Sequence, residues 1–512
     1  MDSWPARRVA IVAALALALH LACGGRYGYF RDELYFIACG HHLAWGYVDQ
    51  PPLIAVVSRL SELASFGNLA LFRLPAIFAH VATVWLAARL AWRLGARAFG
   101  AVSAAACVAS APVLMANGHL LTMNAFEPLL VTALVSVALS ILDGAAPQRW
   151  ILFGAIAGLG VMNKHSMILF VVCVIAALLL VPEGRRHLRS TWVLGGVTCG
   201  ALIVLPHAIW QVQADFPMLE LLRNGQARKN APFSVLGLWS GQLLELNPAA
   251  VWIAAAGIAR PLWGRGSERS RGSERSRAKI LALTAVLVEL LLTALKAKPY
   301  YLAPLYPMVF ASGGAALEAW LTRWPRARWA APASVGLVAL LVAPAALPIL
   351  PVETTERYLA ASGLEPARLE RMAYRVLPQH LADQFGWPEI AGAVAEVFAS
   401  LPREEQPLAT VFMRNYGEAG AIDFFGRRLG LPPASSGHNS YFLWGLHGEG
   451  SVVVAVGGDA DEYRRFFDEV TQVGSTPANP HGLPYEDARP IYLLRGRKVP
   501  VAELWPQLKL FI

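Results

Sequence analysis

The sequence predicts a polytopic α-helical membrane protein carrying a soluble α/β domain at its C-terminal end. Three observations predict it. Of 512 residues only 15% are charged and 56% are hydrophobic, whereas globular domains carry about 25% charge and about 45–50% apolar residues. The apolar excess gathers into blocks of about 18–22 residues, enough helix to cross a ~30 Å hydrocarbon core. From about residue 351 these blocks stop, and charges run throughout. Intrinsic disorder, a disulfide-built secreted module and a soluble Rossmann-type enzyme are excluded by that balance.

Eleven apolar blocks follow one another: about 8–24, 69–93, 99–116, 122–142, 150–163, 165–182, 191–210, 234–258, 279–297, 301–320 and 330–348. Each is read as a span, giving about eleven in a membrane domain of 1–350. Asn163 to Ser166 interrupts the 150–182 pair. Arg7 and Arg8 precede the first block as in a signal peptide, but no small-residue cleavage site follows it, so a retained helix is expected. Trp45, Trp92, Trp150, Trp192, Trp263, Trp320 and Trp329 stand near span ends, as in interfacial belts.

The net charge of +9 reports orientation instead of a nucleic-acid partner. With the N-terminus in the cytoplasm, the arginine-rich connections all fall inside: Arg93 and Arg97, Arg149, Arg185 to Arg189, Arg260 to Arg277, and Arg323 to Arg328. The hexapeptide Gly-Ser-Glu-Arg-Ser-Arg occurs twice, at 266–271 and 272–277, and reads as a flexible cytoplasmic linker. An odd number of spans then puts the domain at 351–512 outside. There 408–413, 451–456 and 490–494 read as strands, and 389–400 and 459–470 as amphipathic helices. The five cysteines fall in or at apolar blocks, except Cys39, so no disulfide framework is expected.

The first outer loop, 26–68, holds two amphipathic stretches, 32–44 and 53–64, suited to helices lying along a membrane surface. It contains Arg31-Asp32-Glu33-Leu34-Tyr35 and, further on, Gly46-Tyr47-Val48-Asp49-Gln50-Pro51-Pro52-Leu53. An Asp-Glu pair can serve a helix N-terminus alone, through the helix dipole. Cations also stand on the outer side, where topology does not require them: Lys164, Arg223, Arg228, Lys229, Lys296 and Lys298. Lys164 interrupts an apolar run. It either snorkels to the interface or binds an anion. Arg223 and Arg228, in the loop 211–233, read as a solvated charge cluster.

These segments resemble the GT-C-type polyprenyl-phosphate-sugar glycosyltransferases, among them the family 39 protein mannosyltransferases and the bacterial lipid A aminoarabinose transferases. The acidic pair followed by Gln50-Pro51-Pro52-Leu53 is similar to their first-loop signature. Lys296-Ala297-Lys298-Pro299-Tyr300-Tyr301 with Pro304 and Pro307 resembles their late Lys-x-Pro-x-Tyr segment. Asn415 to Gly420 and Ser436 to Asn439 look like a bacterial branch with an extra outer domain.

The resemblance implies catalytic Asp32 and Glu33, with Asp49, Gln50, Glu127, Lys164, Lys298 and Tyr300 binding substrate. It further implies a polyprenyl-phosphate sugar donor, a hydroxyl acceptor in the cell envelope, and a multi-pass protein of the bacterial inner membrane among membrane lipids. Where relatives carry a second aspartate this chain has Asn124, which cannot act as a base, so a second carboxylate would have to come from Glu127. Displacing a polyprenyl phosphate from an anomeric carbon needs a base for the acceptor hydroxyl and positive charge for the departing phosphate. No cofactor is expected. A divalent metal is not indicated, because the adjacent His41 and His42 lack the i, i+4 spacing of helical metal ligands. No P-loop occurs, and Gly457-Gly458-Asp459 lacks the third glycine of a dinucleotide fingerprint. The alternative is a transporter or flippase for a lipid-linked or anionic substrate. That would place polar groups along several mid-membrane spans.

Overall fold

A computed structural model describes residues 3–262, 268–321, 324–363 and 368–512. The chain divides into two compact units. One comprises Met1–Gly25, Ala70–Ile209 and Pro232–Ile349; the other comprises Arg26–Leu69, Trp210–Ala231 and Leu350–Ile512.

The first unit is helical, with helices at each predicted apolar block. Four of the described helices are long and apolar enough to cross a membrane: Ala6–Cys23, Leu74–Arg93, Met123–Leu142 and Trp192–Gln213. Two bent pairs raise this to six. The helix Ala98–Ser110 turns by 61° into Pro112–His119, because a residue before proline is driven out of the helical region, and Ala111 takes ψ 119°. The helix Met167–Leu180 turns by 113° into Pro182–Leu188 for the same reason at Val181. The block 234–258 is broken into Val235–Glu245 and Val251–Ala259, with Asn247 at φ 70° between them. Arg149–Asn163 and Ala330–Ala346 are shorter apolar helices.

Of the expected linker, Gly266 and Ser267 lie outside the described residues, as do Trp263 and Arg323. From Glu268 the chain is helical through Ala294, so most of the repeat extends a helix. Glu, Arg and Ser without glycine or proline between 273 and 277 do not oppose that continuation. Close helix contacts rest on glycine. A β-carbon on Gly154 would lie 1.9 Å from the Gly196 carbonyl oxygen, and one on Gly100 2.3 Å from that of Gly314. Only hydrogen at these positions lets the backbones meet, the small-residue packing of membrane helices.

The second unit is built on a five-stranded mixed sheet, order β2-β1-β3-β5-β4. Its strands are β1 (Ala409–Met413), β2 (Ala434–Ser435), β3 (Val452–Val456), β4 (Phe467–Ser475) and β5 (Pro490–Arg497). β1 lies parallel to β2 and β3, while β5 runs antiparallel to β3 and β4. β3 is buried at all five positions, as its unbroken Val-Val-Val-Ala-Val run requires. The predicted helix 389–400 is present as Trp387–Ala399. The predicted helix 459–470 is not. A single short helix, Ala460–Arg464, is capped by Asp459, and the chain then enters β4. Phe467, Val470, Thr471 and Val473 favour extended backbone, and pairing with β5 satisfies that strand's open edge.

Candidate active site

The helix Arg31–His41 places the acidic pair. Glu33 turns back and accepts a hydrogen bond from the Phe30 amide at 2.9 Å, fully buried. It therefore satisfies one of the orphan donors of the helix N-terminus. Asp32 points the other way, its side chain 31% exposed. Its Oδ1 accepts the Tyr416 hydroxyl at 2.9 Å and lies 3.6 Å from the Arg31 Nε. Oδ2 has no hydrogen bond among the described residues. The pair is thus divided between an exposed carboxylate and a cap.

Arg31 organises the surroundings. Its guanidinium lies 3.4 Å from Asp383, donates to the Tyr485 hydroxyl at 2.7 Å and stacks over the Tyr416 ring at 5.5 Å. Burial works against its charge, but Asp383, Tyr416, Tyr485 and Asp32 outweigh it and hold the guanidinium protonated. Burial pushes the Asp383 carboxyl up, with Arg31 opposing. The Tyr416–Phe425 helix can approach because it presents Gly417 and Gly420. A β-carbon on Gly417 would sit 2.3 Å from the Arg31 Cγ, and one on Gly420 2.9 Å from the Leu34 backbone. Asn415 caps that helix, its side chain accepting from the Glu418 amide at 2.8 Å.

Asp49 accepts the Tyr35 hydroxyl at 2.8 Å and is 3.4 Å from the Asn439 amide nitrogen. Burial pushes its carboxyl up to about 6. With its proton on Asp49, the Tyr35 oxygen accepts from the Ser440 hydroxyl at 2.8 Å. Gln50 is fully buried with its amide 3.5 Å from the Cys39 sulfur, a packing position within the loop. His41 faces Glu62 at 3.0 Å and Arg59 at 3.3 Å. Among the described residues no cluster of three metal-ligating side chains occurs.

In the membrane unit, Thr122 caps the helix Met123–Leu142 and so orients Asn124 and Glu127. Lys164 sits in the extended break after Asn163 and donates to Asn124 at 2.8 Å and to Glu127 at 3.0 Å. Its ammonium also stands over the Tyr301 ring at 4.5 Å and the Tyr300 ring at 5.8 Å. Ser166 donates to the other oxygen of Glu127. Glu127, only 3% exposed, is therefore the counter-ion of Lys164. Lys298 stands directly before the 3-10 segment Pro299–Leu305 that carries both tyrosines. Structure thus brings Glu127, Lys164 and Tyr300 together.

Sequence reasoning missed Tyr416, Asp383, Tyr485, His438 and Ser440 as neighbours of the first loop. The signals were the segments Asn415 to Gly420, which holds Tyr416, and Ser436 to Asn439, which holds His438, both singled out without a role.

The model of the dolichyl-phosphate-mannose-protein mannosyltransferase family matches residues 49–210. The lipid A galacturonosyltransferase RgtD of Rhizobium johnstonii is 24% identical over 313 residues, covering 58% of this chain and 62% of that protein. The chain thus spans less than two thirds of the length of this relative. The lipopolysaccharide core galacturonosyltransferase RgtA of the same organism is 33% identical over 69 residues, 14% of each chain. Among solved structures, ArnT from Cupriavidus metallidurans in the apo state superposes with a TM-score of 0.57 at 16% identity, covering 95% of this chain and 97% of that one. The same protein bound to undecaprenyl phosphate gives 0.56 at 14% identity over the same shares. The chain thus shares its fold with ArnT along nearly its whole length, and its residues 49–210 match the mannosyltransferase family model.

Proposed function

We propose that the chain is an integral-membrane glycosyltransferase that moves a hexosyl or pentosyl group from a polyprenyl-phosphate carrier to a hydroxyl acceptor of the cell envelope. The names of the relatives and the undecaprenyl phosphate bound by the ArnT structure support that donor and acceptor class. The bacterial inner membrane is its site, with the residues from 351 on the extracytoplasmic face.

One observation carries the mechanism. Asp32 offers a carboxylate whose Oδ1 is held by Tyr416 and whose Oδ2 is open, at the exposed end of an otherwise buried network. Oδ2 takes the proton of the acceptor hydroxyl, the acceptor oxygen attacks the anomeric carbon, and the bond to the carrier phosphate breaks with inversion. Glu33 positions Asp32 by fixing the helix start. Lys164 and Lys298 are assigned to the carrier phosphate, with Tyr300 beside them. Glu127 and Asn124 hold the Lys164 ammonium in place. Asp49 supports the first loop through Tyr35.

The test is sugar transfer from a polyprenyl-phosphate donor by purified protein, with Asp32→Asn at matched expression. Loss of general-base assistance costs about 10²–10⁴-fold in rate. Wild-type turnover by Asp32→Asn would return the acidic pair to helix capping. Absence of any transfer, with movement of a lipid-linked substrate across vesicles instead, would favour a flippase.

A further inference from the structure

The sheet of the second unit is covered unequally. The helices Trp387–Ala399 and Tyr416–Phe425, 13 and 10 residues long, pack against it. The apolar cluster built on Val453, Ala455, Tyr492 and Leu494 draws on neither of them. These four side chains share one face, because β3 and β5 pair Val453 with Leu494 and Ala455 with Tyr492. Its cover comes from short segments: Ala460–Arg464, Val501–Leu504 and the 3-10 turn Trp505–Leu508.

Pieces this short leave a cavity of about 60 Å³ between Phe412, Val453 and Leu494 of the sheet and Tyr463, Leu504 and Trp505 of the cover. Phe412 and Trp505 are half-buried, so the cavity reaches the surface. At about 10–15 Å³ for each water-sized group, it has room for about four to six of them. An apolar cavity does not retain water, and its lining forgoes dispersion contacts that a row of methylenes would supply.

Among the described residues Arg497 is the one charged member of the lining. Its guanidinium donates to two neutral acceptors, the carbonyls of Gly450, at 3.3 Å through Nε, and of Val499, through Nη1. The neighbouring cations take the carboxylates: Arg495 pairs with Glu405 at 2.7 Å and Lys498 with Asp468 at 3.9 Å. Arg497 is thus oriented without being neutralised, at the edge of an apolar slot. A carboxylate, planar and singly charged, matches the fork of one guanidinium. The second charge of a phosphate would lack a counter-ion there.

We propose that this slot binds a short-chain carboxylate of about six carbons, its alkyl chain lying against Phe412, Val453 and Leu494 and its carboxylate on Arg497. None of these residues is assigned to sugar transfer, so the site stands or falls apart from that reaction.

The test follows hexanoate, hexanol and acetate by ligand-observed NMR with the full chain in nanodiscs, empty nanodiscs serving as the blank. Hexanoate should bind at least about tenfold more tightly than hexanol, which lacks the charge, or acetate, which lacks the chain. Arg497→Gln should weaken hexanoate about 10–100-fold and leave hexanol unchanged. Val501→Phe fills the slot from its cover and should abolish binding of both while keeping the melting temperature. If Val501→Phe unfolds, Arg497→Gln decides alone, since Arg497 is only half-buried. The proposal is overturned if hexanoate gives no more signal than with empty nanodiscs, or if hexanol or acetate matches it. Wild-type hexanoate binding by Arg497→Gln, or by a folded Val501→Phe, would overturn it equally.

Discussion

Tyr416 donates its hydroxyl to Asp32 at 2.9 Å from 384 positions away in the chain. Burial raises the Tyr416 hydroxyl well above its ordinary value, so it remains a donor at any physiological pH. The consequence is directional: Oδ1 of Asp32 is fixed and Oδ2 faces outward. Tyr416→Phe removes that hydrogen bond and keeps the ring contacts with Tyr35 and His438. The expected result is a fall in kcat of about 10–100-fold with KM little changed, since a hydrogen bond to a charged group is worth about 1.5–3 kcal/mol. A loss confined to KM would make Tyr416 a substrate-binding group instead.

Lys164 and Glu127 form a pair with little solvent on either side, 13% and 3% exposed. Removing one member of such a pair strands the other, at a cost of about 3–5 kcal/mol. Lys164→Ala should therefore lower the melting temperature of the purified protein as well as weaken donor binding. Combining Lys164→Met with Glu127→Gln should restore most of the stability. If donor binding returns together with stability, Lys164 is a structural cation and has no role at the phosphate.

The one-sided arginines make a topological claim that accessible positions can check. Glu183 and Glu404 are both exposed in their own units. The native cysteines are buried, apart from the half-buried Cys199. In a Cys199→Ser background, Glu404→Cys should react with a membrane-impermeant thiol reagent added to intact spheroplasts. Glu183→Cys should react only after permeabilisation. The reverse pattern would move the acidic loop's chemistry to the cytoplasm.

What was legible in the sequence follows from how local each cause is. The apolar blocks and the strands β1, β3 and β5 are continuous hydrophobic runs, so a short window suffices to find them. β4 has most of its side chains in solvent and lies at an edge, so its strand character comes from pairing with β5. Bends at Val181 and Ala111 are written in the following prolines, whereas how many blocks cross the bilayer is not written in hydropathy alone. Lys164 stood out as a charge in an apolar run, yet its partner Glu127 lies 37 residues earlier. Asp32 was legible through its motif. Beyond the adjacent Arg31, its partner is Tyr416, 384 positions on, and only the folded chain brings that hydroxyl to it.

Glu486 gives the second unit a pH dependence whose sign can be worked out. It is 1% exposed, and both carboxylate oxygens lack a hydrogen-bond partner among the described residues. Burial, reinforced by Asp383 and opposed by Arg31, pushes it from 4.5 up to about 8. A carboxyl raised on folding binds its proton more tightly in the native state. Its contribution is complete below the unfolded value and is lost as pH rises through the folded one. Stability should therefore decline between about pH 5 and pH 8, each kcal/mol lost lowering the melting temperature by about 2–4 °C. Glu486→Gln is a neutral mimic of the protonated form and should flatten that slope while matching wild type at pH 5. Thermal unfolding of both proteins across this range checks it. An equally steep decline in Glu486→Gln would mean that other buried carboxyls, Asp383 first, set the pH response.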